Sequence, residues 1–121
     1  MKTLVRRKKN LKEFVARDGA LVYELFKSGE GFGDVTLASG FLKPKQKAIP
    51  HFHRKSDEIY YIASGKGKVM LNNSYEEIEK GDAIFVPRNT IHALVNENNE
   101  EMHILALMKP PYSDDDMIFT E

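Results

Sequence analysis

The stretch from Ile49 to Gly65, IPHFHRKSDEIYYIASG, sets His51, His53 and Glu58 within eight residues, and a further histidine, His92, stands in IHALVN. Imidazoles and a carboxylate brought together can hold a metal ion. Two histidines at i and i+2 point the same way on a β-strand, where same-face neighbours lie roughly 7 Å apart. Glu58 to Ala63 reads as a second strand, rich in β-branched and aromatic residues, and Arg54 to Asp57 is a polar tetrapeptide of turn length. With those four residues as the loop of a hairpin, His53 is expected to face Glu58 and His51 to face Tyr60. Directly opposed side chains have Cβ atoms about 4.5 to 5.5 Å apart, room for one ion between an imidazole and a carboxylate. The same register turns Tyr60 and Ile62 to the cavity with Glu58, and Ile59 and Tyr61 away from it. A lone strand histidine is usually a surface or hydrogen-bonded residue; three in two strand-like segments, two of them as His-x-His, favour the metal.

These residues need strands to position them, and the chain is punctuated accordingly. Short apolar runs are set off by Gly, Asn and Asp every 8 to 12 residues or so. Strands are expected near 20–26, 34–43, 49–53, 58–63, 67–72, 75–79, 83–86, 91–96 and 102–108, with turns between them, the first of which spans 27–33. Only Asn10 to Arg17 carries a helix signal, enough for a turn or two. Many short strands with little helix to cover a sheet imply an all-β barrel or sandwich. Pro87 closes the strand Ala83 to Val86, because it cannot donate to an interior ladder. The next strand then carries His92, Leu94 and Asn96 on one face, and a barrel brings His92 to the other two histidines.

At 121 residues with 41% hydrophobic content, one domain spanning 1–121 is expected, with short extensions at both ends. The 18 basic residues are balanced by 18 acidic ones, so the chain lacks the positive field that non-specific nucleic-acid binding requires. A small molecule suits it better than a polymer. Without cysteine, any metal must rest on nitrogen and oxygen donors, which leaves Fe, Mn, Ni, Zn, Co or Cu. No apolar run approaches 18 residues and the N-terminus lacks the pattern of an export signal, so a cytoplasmic protein without membrane contact is expected.

PHFHRKSDEIYYIASG followed by GDAIFVPRNTIHALVN resembles the two signature motifs of the cupin superfamily, G-x5-H-x-H-x3 or x4-E-x6-G and G-x5-P-x-G-x2-H-x3-N. His51, His53, Glu58 and Gly65 fill the first, and Gly81, Pro87, His92 and Asn96 the second. Lys45 and Asn89 stand where the patterns have glycine. Asn tolerates a left-handed backbone, so the Asn89 turn should survive; Lys45 leaves its loop undetermined. The resemblance implies a cupin-type jelly-roll β-barrel, often dimeric, with one divalent transition metal held by three histidines and a glutamate. It does not imply one reaction, since the superfamily includes dioxygenases, isomerases, epimerases, lyases, decarboxylases and proteins without catalysis.

Four ligands on a six-coordinate ion leave two positions for a substrate with adjacent oxygens, or for substrate and O2. The leading expectation is a metal-dependent enzyme acting on a small oxygen-rich metabolite, with Tyr60 as its acid–base group or, equally, an aromatic wall residue. The rivals are a metal-bearing binding or sensor module, and a scaffold with vestigial histidines. His103 could face the cavity or solvent, the latter being favoured, and Arg88 could reach a carboxylate or phosphate at the barrel mouth, although exposed turn arginines are commonly only solvated. A homodimer is expected, docking through Leu4, Val5, Leu11, Phe14 and Val15 and through Met117 to Phe119. The basic run from Lys2 to Lys12 and the acidic run from Asp114 to Glu121 are expected to be solvated, unless they meet.

Overall fold

A computed structural model describes residues 3–31 and 33–120; the expectations for Lys2, Glu121 and the Phe32 part of the first turn lie outside them. Eleven strands are described: β1 (Phe14–Val15), β2 (Leu21–Phe26), β3 (Thr36–Leu42), β4 (His51–Phe52), β5 (Asp57–Ser64), β6 (Lys66–Leu71), β7 (Ser74–Glu79), β8 (Ala83–Val86), β9 (His92–Val95), β10 (Met102–Lys109) and β11 (Ile118–Phe119). They form two antiparallel sheets, ordered β1-β2-β3-β10-β5-β8 and β11-β4-β9-β6-β7. This is the jelly-roll arrangement that the resemblance implies. The nine expected strands are all present. The strands β1 and β11, two residues each, lie outside those expectations, because no apolar period flags either of them. The helix expected within Asn10 to Arg17 does not form: a 3-10 turn occupies Lys8–Asn10 and β1 begins at Phe14.

The core fills the space between the sheets. Leu42, Ile62, Val69, Val86 and Met102 are its most enclosed apolar members. Along β5 the alternation is clean: Glu58, Tyr60 and Ile62 are buried, while Ile59 and Tyr61 are 44% and 45% exposed, as the period of two requires.

The expected hairpin between β4 and β5 is wrong. β4 pairs with β9 and β11, whereas β5 pairs with β10 and β8, so the two strands belong to opposite sheets. Residues 53–56 do not turn back on the strand but cross the barrel wall. Their main chain is clamped from the far end of the sequence: the carboxylate of the buried Asp116 accepts hydrogen bonds from the N–H groups of Arg54 (2.9 Å), Lys55 (3.0 Å) and Ser56 (3.2 Å). The acidic tail therefore folds inward, and its Ile118–Phe119 pairs with β4. Met117 is buried in the same chain, so Met117 to Phe119 is not the free docking surface expected of it.

Four other crossings between the sheets share one device. Lys45 (φ 65°), Gly65 (φ 82°), Gly81 (φ 94°) and Asn89 (φ 68°) have left-handed backbone, and they lie in the links β3–β4, β5–β6, β7–β8 and β8–β9, each of which changes sheet. These are the glycine positions of the two motifs. Gly65 needs its lack of a Cβ twice over, since one built there would lie 2.7 Å from the Glu101 carbonyl oxygen. Lys45 accepts the strained region while its amide donates to Asn98 O (3.2 Å) and its ammonium to Glu97 O (2.6 Å). Asn96 organises a further link, β9–β10, with its side-chain amide donating to the carbonyls of Leu42, Lys43 and Glu100.

Candidate metal centre

The nitrogen donors come from one sheet and the oxygen donor from the other. His51 on β4 lies directly opposite His92 on β9, and His53 follows at the end of β4. Glu58 and Tyr60 project toward them from β5. All five are buried, at 0 to 5% exposure.

Each histidine has one ring nitrogen committed to a main-chain carbonyl. Nδ1 lies 2.8 Å from Ile49 O in His51, 3.0 Å from Asp116 O in His53 and 2.9 Å from Thr90 O in His92. A carbonyl only accepts, so Nδ1 carries the proton and Nε2 is left with its lone pair. One nitrogen from each of the three rings lies within 4.8 Å of the others. Glu58 Oε1 joins them, 3.1 Å from His92 Nε2 and 3.7 Å from His53 Nε2.

A lone pair facing a carboxylate oxygen at 3.1 Å requires a proton or a metal cation between them. Either His92 carries a second proton, or a cation is shared. Burial alone pulls His92 down, but the hydrogen bond and charge of Glu58, with smaller help from Thr90 and Asp18, leave it above its ordinary value. Glu58 moves the other way: burial raises it, and the three histidines together bring it below the usual carboxylate range. His51 is pushed down to about 4 by burial and by the charge of His92, and burial lowers His53 as well. Two neutral imidazoles, a third paired to a carboxylate, and preset tautomers fit a divalent transition ion held by nitrogen and oxygen.

Tyr60 sits beside the cluster, its ring centroid 5.9 Å from that of His92. Burial, then the charges of Glu58 and Asp18, raise its hydroxyl well above the ordinary tyrosine value, so it is a proton donor. The cluster opens into a cavity of about 450 Å³ lined by β2, β3, β5 and β10 together with residues 14–18 and 112–114. Asp18, half-buried in its wall, was missed from the sequence; a lone acid in a Gly-flanked turn gives no signal. Burial raises its carboxyl, against the lowering effect of the Ala20 N–H that it accepts at 3.2 Å.

Two other residues lie outside this centre. His103 Nε2 is 2.7 Å from Ser39 Oγ and its ring stacks on Phe41 at 4.3 Å. Arg88 forms an exposed fork with Asp57, at 3.2 Å for both guanidinium contacts. The charged termini do not meet through the contacts described. Arg6 pairs with Glu30 at 3.1 Å and Lys8 lies over Phe41, whereas the tail is held by Arg17, whose guanidinium donates to the carbonyls of Asp114 and Met117.

Comparison with known proteins agrees with this architecture. The Cupin domain family matches residues 41–108. An uncharacterized protein of Methanocaldococcus jannaschii is 34% identical over 96% of this chain and 94% of its own. The glucose-6-phosphate isomerase of Thermococcus gammatolerans is 31% identical over 78% of the chain, which spans 58% of that enzyme. Among solved structures, a polyketide cyclase of Streptomyces resistomycificus superposes with a TM-score of 0.80 at 23% identity, covering 100% of this chain and 87% of that one. No helix among the described residues is long and apolar enough to cross a membrane.

Proposed function

This chain belongs to the cupin family, and from that premise we propose that it is a metal-dependent enzyme in which His51, His53, Glu58 and His92 hold one divalent transition ion against a small-molecule substrate. One observation carries the reading. Three buried imidazoles have Nδ1 pinned to carbonyls and turn their remaining nitrogens toward one another and toward Glu58.

A divalent ion at this point supplies Lewis-acid polarisation, a template for adjacent substrate oxygens and, for a redox-active metal, one-electron chemistry. The protein's own part is positional and protonic. Tyr60 donates a hydrogen bond or proton to a substrate oxygen lying beside Glu58. Asp18, raised by burial, can give up or take a proton on the cavity side, so the centre has two protonatable groups flanking the substrate space. That second group favours an enzyme over a binding or sensor module. Relatives named as a phosphosugar isomerase and a polyketide cyclase support reactions at oxygen-bearing carbon, of isomerase, lyase or dioxygenase type.

The test is metal analysis of untagged protein followed by oxygen-consumption and isomerisation screens with and without chelator. Stoichiometric metal with chelator-sensitive turnover supports the reading; a metal-free protein with unchanged ligand binding rejects it. We also propose a homodimer. Leu4, Val5 and Val15 are 50, 71 and 70% exposed, and Ile59, Tyr61 and Phe85 form an apolar patch on the outer face of the six-stranded sheet. Apolar burial should then dominate the association, so light scattering at micromolar concentration should show a dimer in both low and high salt. A monomer in both conditions rejects it.

A further inference from the structure

Across the inner face of the six-stranded sheet, one row of cross-strand neighbours runs Tyr60, Ala106, Ala38, Glu24. Two alanines thus stand between a tyrosine at the metal centre and a glutamate at the rim. Three strand spacings separate those ends, about 14 Å. The flanking rows, Val22–Gly40–Ile104 and Thr36–Met108–Glu58, form the sides. All of these line the same cavity. The result is a flat, apolar-floored slot that leads to Glu58 and Tyr60.

Charge narrows the occupant further. Asp18, Glu24, Glu58 and Asp114 line the cavity, and the only lysine or arginine among its described lining residues is Arg17. That guanidinium is engaged by the carbonyls of Asp114 and Met117 and lies 4.8 Å from the Phe119 ring. A phosphate or second carboxylate at the far end of a ligand would meet the Glu24 carboxylate there. Oxyanion recognition normally uses an arginine fork or a set of N–H donors aimed at the ligand.

We infer that the slot binds an uncharged, flat, largely apolar molecule of one or two fused rings, which presents hydroxyl or carbonyl oxygens to the Glu58 and Tyr60 end, and that phosphorylated sugars are excluded. The inference specifies the substrate class of the proposed enzyme and rests on that reading for the chemistry, though not for the binding itself. The alanine floor supplies the contact, so a ring without chelating groups should bind even when no metal is present.

The experiment titrates chelator-treated wild-type protein with 2-naphthol, follows naphthol fluorescence, and adds glucose 6-phosphate as competitor. Saturable binding at one site per chain is expected, with no displacement by a tenfold excess of the sugar phosphate. Ala38→Phe, which fills the slot, should weaken naphthol at least about tenfold while leaving metal uptake at the wild-type level. Ala106→Ile, smaller and on the neighbouring strand, should act in the same direction and serves if Ala38→Phe fails to fold. Displacement by equimolar glucose 6-phosphate, or naphthol binding unchanged in the folded variants, overturns the inference. Naphthol binding that responds to these variants in a protein taking up no metal would reject the proposed enzyme and leave the slot assignment standing.

Discussion

The chain's four histidines all lie on or beside strands, yet His51, His53 and His92 face surroundings opposite to those of His103. In the first three, Nδ1 is spent on a carbonyl and the remaining nitrogen points toward other donors; in His103, Nε2 is spent on Ser39 and the ring stacks on Phe41. Burial separates them too. The three are 0 to 3% exposed, whereas His103 lies half-buried on the outer side of the sheet, near Lys8. The difference teaches that a histidine is made available as a ligand by what fixes its other nitrogen and by which side of the sheet it occupies. Residue type is common to both regions.

The comparison breaks most visibly if donors are removed from one region. A His51→Ala, His92→Ala double variant should lose at least an order of magnitude of bound metal, because losing even an outer partner of a ligand typically costs tenfold or more. Full occupancy in that variant, measured by elemental analysis, would sink the ligand assignment.

Asp116 offers the next largest effect, acting through the link that carries His53. Asp116→Ala leaves three N–H groups of residues 54–56 without their shared acceptor. Hydrogen bonds to a charged group contribute about 1.5 to 3 kcal/mol each, part of which water restores here, so a loss of roughly 3 kcal/mol is expected in chemical denaturation. Metal affinity should fall about tenfold, less than in the double variant, since Asp116 holds a ligand without being one. An unchanged denaturation midpoint would show that the clamp contributes little.

How far the sequence reveals these two regions depends on the distance over which each feature acts. Parity along β5 is local, so Glu58, Tyr60 and Ile62 can be placed inside from the pattern alone. Which sheet a strand joins is not local. The tetrapeptide 54–57 has the composition of a hairpin turn, and nothing in it distinguishes a turn from a crossing whose amides are held by a carboxylate 60 residues later. Asp116 itself reads as one of three consecutive aspartates in the acidic tail. The motif positions Lys45 and Asn89 keep the left-handed backbone that the pattern's glycines would supply, so the resemblance carried the fold through two substitutions.

Acidification should weaken the metal-stripped protein through the same cluster. His51 is held at about 4 in the fold and returns to its ordinary value near 6.5 when unfolded. Between those values the unfolded chain binds the extra proton, so stability present above about pH 6.5 is lost as pH falls toward 4. A shift of that size corresponds to roughly 3 kcal/mol, and the lowered His53 acts in the same direction. His92, raised through Glu58, opposes them, because its contribution is present below its unfolded value and lost as pH rises. A net loss of about 2 kcal/mol between pH 7 and pH 4.5 is expected, and His51→Gln should flatten the profile. A wild-type melting temperature that does not change over this range would contradict the burial assigned to His51.

The smallest effect belongs to His103, and its smallness is what sharpens the contrast. His103→Ala removes one hydrogen bond, to Ser39, and one stacked contact, with Phe41. A neutral hydrogen bond contributes about 0.5 to 1.5 kcal/mol and an aromatic pair a similar amount. Because the ring is only half-buried, the solvent that enters its place can satisfy the Ser39 hydroxyl. A destabilisation of about 1 kcal/mol is expected, read as a shift in denaturation midpoint with an unchanged slope. Metal content should equal that of the wild type, since Ser39 and His103 belong to the face opposite Ala38 and Ala106. His103→Asn, which keeps a polar group near Ser39, should recover part of the lost stability. Loss of metal in His103→Ala without further destabilisation would mean that the outer face is coupled to the centre, and that orientation on the sheet does not divide the four histidines as the structure indicates.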